Sequence, residues 1–171
     1  LKACRAQLRR VAAQRSGRRV VAPVFFETLA NNYTRGLFLK MAQKVPQPAR
    51  KSLVFHVGGV PAGVAQSRLA ELGSVVKPFS SGAFIGLPAD FSGLEALRDL
   101  VLVGITADVP DFGDASELLS AAHGAGLPTW VSGLRTDEDR QRALLLGAAY
   151  GSGPLYPAEV PIATEDADAE A

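Results

Sequence analysis

The hydrophobic positions of this chain switch repeatedly between helical and strand spacing. Leu1, Cys4, Leu8 and Val11 recur every three or four residues with arginines between them, which predicts an amphipathic first helix stopped at Gly17. Residues 19–26 follow as a short apolar, β-branched run, the pattern of a strand buried on both faces. Pro23 inside it has no N–H to donate to a ladder, so it predicts an edge, a strand end or a bulge. The same reasoning predicts strands over 52–57, 83–87, 100–106, 129–131 and 150–154, with a further short extended segment over 74–78. It predicts helices over 35–44, 62–72, 92–99, 114–124 and 136–146. Gly73 and Gly147 read as helix stops. Asp114 reads as an N-cap, and Thr136 with Asp139 as a capping box in its acidic form.

A strand-then-helix order with connections of a few residues demands a mostly parallel sheet covered by helices. With about six such steps and no division into two halves, the expected fold is α/β, an incomplete or modified TIM-like (β/α) barrel. No short internal repeat suggests a solenoid.

The 171 residues are 47% hydrophobic and 20% charged, enough for one packed domain and too apolar for a disordered chain. Apolar runs such as 20–26 and 100–103 are too short to span a bilayer. The basic start lacks the uninterrupted apolar stretch of a signal peptide. Cys4 is the single cysteine, which excludes a disulfide scaffold and a multi-cysteine zinc site and fits a cytoplasmic location. The chain opens on Leu1 already inside a helical pattern, so a piece of something longer is expected.

The net charge of +1 conceals an uneven spread. Through Lys51 there are twelve Lys or Arg and one acid, Glu27; the remainder holds six bases and sixteen acids. The N-terminal basic set, Lys2, Arg5, Arg9, Arg10, Arg15, Arg18 and Arg19, reads as the solvated face of one amphipathic helix, with a patch for nucleic acid or anionic lipid as the alternative. No aromatic residue interleaves with these arginines, so no base-stacking surface and no nucleic-acid partner are expected. The domain is read as residues 1–157, and residues 158–171 as an acidic tail that frays.

Generic chemical motifs are missing. The chain has no phosphate-cradling Gly-Lys-Ser/Thr loop, no Gly-x-Ser-x-Gly elbow, no His-Glu-x-x-His and no CxxC. Ser80, Ser81 and Ser132 read as ordinary strand-end or loop serines. His56 reads as a core or barrel-mouth imidazole, His123 as a helix-end residue, and Trp130 as core. Asp108, Asp111 and Asp114 are too few and too interrupted for a calcium loop.

Residues 126–139 (GLPTWVSGLRTDED) and 144–157 (LLLGAAYGSGPLYP) resemble the C-terminal half of the EAL domain, a family of bacterial cyclic di-GMP phosphodiesterases and their inactive relatives. The family pattern there is a strand, Ala-Glu-Gly-Val-Glu-Thr, a helix, Leu-Gly, and Gln-Gly-Tyr before a Pro. Earlier segments agree in order. Residues 1–4 (LKAC) resemble the family's Leu-x-x-Ala-Cys helix, 20–25 its Val-Asn-Leu-Ser strand, 53–59 (LVFHVGG) its Leu-Glu-Leu-Glu-Ile-Thr-Glu strand, and 69–73 (LAELG) a helix end. The opening Glu-Ala-Leu strand has no counterpart.

In that family acidic groups and an Asn hold two divalent cations that activate water. The resemblance places Pro23 at the Asn, His56 at a Glu, and Gly58 and Gly59 at the following Thr-Glu. It places either Phe79 and Ser80 or Pro88 and Ala89, with Asp90 nearby, at the paired Asp. Gly104 stands at the catalytic Lys and Thr106 at the next Asp. Ser132 and Arg135 stand at the two Glu of the Ala-Glu-Gly-Val-Glu motif, and Ser152 at the Gln. A Gly or Ser does not replace a carboxylate on a hard cation, and an arginine opposes it. The resemblance therefore implies a catalytically inactive regulatory or protein-interaction domain of cyclic di-GMP signalling. It implies no catalytic, nucleotide-binding or metal-binding residues and no cofactor, with a protein partner or second copy as the ligand. A non-hydrolysing cyclic di-GMP receptor is the alternative.

Overall fold

The structure is a computed structural model, and it describes residues 8–11, 18–91, 93–97, 102–108 and 112–156. Six parallel strands form one curled sheet, a half-barrel in which strand order follows chain order: β1 (Val20–Phe25), β2 (Leu53–Gly58), β3 (Ala83–Gly86), β4 (Leu102–Asp108), β5 (Thr129–Ser132) and β6 (Tyr150–Gly151). This is the expected incomplete α/β barrel. Among the described residues strand β1 pairs only with β2, so Pro23 sits on an edge of this sheet, where a missing N–H is tolerated.

The helices between strands are α1 (Phe26–Ala30), α2 (Asn32–Ala42), α3 (Gln47–Arg50), α4 (Gln66–Val76), α5 (Phe112–Gly124) and α6 (Asp137–Leu145). They cover one sheet face, where Leu53, Phe55, Val57, Ile85, Ile105 and Val131 join Leu29, Phe38, Leu69, Leu72 and Leu119 in the core. Phe38 of α2 meets Phe55 edge-on at 5.2 Å between ring centres. Residues 8–11 are helical, with Leu8 and Val11 buried and Arg9 and Arg10 exposed, as the amphipathic pattern requires. Glu71 of α4 accepts from Arg35 of α2 at 2.9 Å and from Arg68 at 2.5 Å. The Arg68 hydrogen bond is the main reason its carboxyl stays charged below the ordinary glutamate range.

Several predicted boundaries move. The segment expected as one helix over 35–44 begins earlier, because the Asn31 side chain accepts from the Tyr33 and Thr34 backbone N–H groups and caps α2. Pro48 stands at the start of α3 instead of merely ending its predecessor, since a missing N–H costs nothing in a first turn. Gly73 is not a stop: it lies buried inside α4, and 74–78, expected to be extended, continues as helix and a 3-10 turn (Lys77–Phe79). The helix expected over 92–99 is a 3-10 turn at Leu94–Leu97. Asp114 lies within α5, which begins at Phe112, so it is no N-cap. The capping box is present: Thr136 Oγ1 accepts from the Asp139 N–H at 3.1 Å, and the Asp139 carboxylate accepts from the Thr136 N–H at 2.9 Å. Residues 1–7, the tail 158–171 and Asp111 lie outside the described residues. No described helix is long and apolar enough to cross a membrane.

Candidate functional site

Strand alternation gives the sheet a second face. In β2, Leu53, Phe55 and Val57 enter the core, which leaves Val54, His56 and Gly58 on the opposite, concave side. Both faces are apolar along most of their length, so the period of two is not visible in the sequence.

The concave face has two levels. At the C-terminal ends of the strands a cavity of about 290 Å³ opens, lined by His56, Gly58, Gly59, Gly86, Pro88, Ala89 and Thr106 among others. His56 Nε2 lies 3.0 Å from Thr106 Oγ1, a hydrogen bond across the intervening strand β3. Gly86 makes that reach feasible. A Cβ there would sit 3.2 Å from Thr106 Oγ1, so a larger residue would crowd the contact. Below this mouth lies a hollow of about 280 Å³ lined by aromatic and branched side chains, among them Val54, Phe84, Trp130 and Tyr150. Trp130 is half-buried on this face and not part of the core, which corrects the sequence expectation. Its indole N–H donates to Ser152 Oγ at 2.9 Å.

The positions singled out by resemblance converge in part. His56, Gly58, Gly59, Pro88, Ala89 and Thr106 meet at the mouth. Of the two candidate registers, the structure brings Pro88 and Ala89 there. Phe79 is buried in a turn preceding β3, at the other end of that strand. Pro23 is the sheet partner of His56 on β1. Ser80, Ser81 and Ser132 each donate to a backbone carbonyl, of Val76, Leu53 and Ala107. Arg135 is exposed. The side chain of Asp108 lies outside what is described, though its backbone pairs with Ser132. Gly86, Phe84 and Tyr150 were not legible as site residues, because their importance comes from neighbours on other strands.

Solved structures share this architecture. The PaMucR phosphodiesterase, in complex with c-di-GMP, superposes with a TM-score of 0.69 at 14% identity, over 93% of this chain and 75% of that one. An EAL domain protein from Listeria monocytogenes EGD-e gives 0.64 at 10% identity, over 91% and 66%. This is the EAL fold. The Bacillus subtilis YkuI protein, which has an EAL domain and is bound to c-di-GMP and calcium, gives 0.60 at 14% identity, over 91% and 42%. The chain thus spans about two thirds of the Listeria EAL protein and under half of YkuI. No protein-family model and no curated protein matches its sequence.

A hard divalent cation in an EAL mouth needs roughly six or more oxygens, preferably anionic. The described lining here offers one hydroxyl and one imidazole, already bonded to each other, and otherwise Gly, Ala, Pro and aliphatic residues. That donor set does not fit magnesium or calcium. Among the described residues, no three His, Cys, Asp or Glu side chains are placed to hold an ion.

Proposed function

We propose that this chain keeps the EAL fold without the EAL reaction and works as a regulatory domain in bacterial cyclic di-GMP signalling, acting through protein contact. The observation that carries this reading is the chemistry of the mouth. At the strand ends where the family resemblance calls for carboxylates, the cavity is lined by His56, Gly58, Gly59, Pro88, Ala89 and Thr106. Water activation by metal needs a cation held at the reacting phosphate, and none of these side chains supplies an anionic oxygen.

Contact with another protein is supported by the surface. Among the described residues, the exposed large hydrophobics fall in two groups beside the open sheet edges: Phe25, Tyr33, Leu37 and Met41 near β1, and Leu144, Leu145, Tyr150 and Tyr156 near β6. Tyr33, Leu37 and Met41 repeat every four residues on α2 and so form one apolar stripe. Contiguous exposed apolar surface of this kind is typical of interaction sites.

The test is a titration of the purified chain with cyclic di-GMP, with and without magnesium or manganese, read by calorimetry and by product formation. The expected result is no hydrolysis under either condition. Turnover would overturn the reading, and micromolar binding without metal would convert it to a non-hydrolysing receptor.

A further inference from the structure

We infer that the aromatic hollow on the concave face binds a small anionic amphiphile: a ring or branched hydrocarbon body bearing one carboxylate. The hollow measures about 280 Å³. An apolar cavity of roughly 150 Å³ accepts benzene, so this one holds a ring with a short chain attached. Its walls are fixed by ring contacts. Phe84 meets Trp130 edge-on at 5.4 Å and Tyr150 at 5.6 Å between centres. Val21 and Val54, paired across β1 and β2, form the other side.

The polar groups of the wall decide what the ligand's head must be. The Trp130 N–H is already taken by Ser152. Arg19 lines the same hollow and makes no ion pair among the described residues. A guanidinium beside an apolar cavity matches a carboxylate, which it grips with two parallel N–H donors. A neutral head would forgo that pair, and a cationic head would be repelled by it. The site is separate from the mouth, with the His56–Trp130 ring contact at 5.3 Å between the two levels. It stands whether or not the mouth is catalytic.

Trp130 is the only tryptophan in the chain and lines the hollow, so its fluorescence reports on it. The probes are phenylbutyrate and its neutral amide, phenylbutyramide, added to the full chain. The expected result is a saturable change in Trp130 emission with the acid and about tenfold weaker binding of the amide, the loss of one charge-assisted pair. Arg19→Gln, an exposed position, brings the acid down to the level of the amide and leaves the amide unchanged. No saturable response to the acid at millimolar concentration would overturn the inference. So would equal affinity for acid and amide. A Trp130 already shielded from acrylamide in the free protein would also overturn it, since another segment or a second copy would then fill the hollow.

Discussion

The carbonyl oxygen of Pro128 occupies the place where a side chain on Gly104 would begin. It accepts the Ile105 N–H at 3.0 Å, tying the start of β5 to β4. A Cβ at residue 104 would lie far inside the contact distance of that oxygen and 2.9 Å from the Phe84 ring. The EAL resemblance places a catalytic Lys at this position. The backbones have closed over the space that any such side chain needs.

Gly104→Ala is therefore expected to lower stability by about 3 kcal/mol, because the obstacle is backbone and not a side chain that swings away. Urea denaturation checks this. A midpoint unchanged from the parent chain would contradict the close approach.

Returning carboxylates to the mouth is not expected to return activity. His56→Glu combined with Thr106→Asp supplies two anionic oxygens, yet residue 104 still has no room for a Lys. A phosphodiesterase assay with magnesium or manganese should stay at background. Measurable turnover in the double variant would show that the mouth needs only ligands.

Thr106→Val keeps the shape of the buried Thr106 but removes the hydrogen bond to His56. A loss of about 1 kcal/mol is expected, with Thr106→Ser closer to the parent. Thermal melts of the three proteins decide it. A Val variant as stable as the parent, with the loss confined to Ser, would mean that the methyl packing matters and the hydroxyl does not.

Gly147 has φ +79°, and a Cβ there would lie 2.5 Å from the His123 ring. Two costs add in Gly147→Ala: the left-handed backbone, about 1–2 kcal/mol for a residue with a Cβ, and the clash. His123→Ala in the same chain should recover the clash and leave the backbone cost. A double-mutant cycle with no coupling would remove the steric account.

Asp139 accepts from the backbone N–H groups of Arg135 and Thr136, which hold its carboxyl below the ordinary aspartate range. The folded value lies under the unfolded value of about 3.9, so the capping contribution is complete above that pH and fades as pH falls through the folded value. An NMR titration should place the Asp139 midpoint below about 3.9, with the Thr136 amide shifting in step. Asp139→Asn should abolish that acid response.

Local chemistry was legible in the chain. The Thr136 capping box, the reading of Pro23 as an edge, strand end or bulge, and the amphipathic stripe of Leu8 and Val11 each follow from residues within a turn or a strand of one another. The Asn31 cap was legible too in principle, since Asn31 and Asn32 precede an apolar-periodic run. Gly73 misled because a glycine near the end of a helical pattern marks a stop only if no further apolar turn follows, and Val75 and Val76 continue the helix.

By itself, the sequence determined the order of strands and helices and the parallel half-barrel this order requires. Only the tertiary structure decided which residues share a level of the concave face. His56 and Thr106 are fifty residues apart, and Phe84, Trp130 and Tyr150 come from three strands. Their meeting depends on strand register, which is set by pairing between distant segments. Because both faces of these strands are apolar, no local periodicity announces which side lines the hollow.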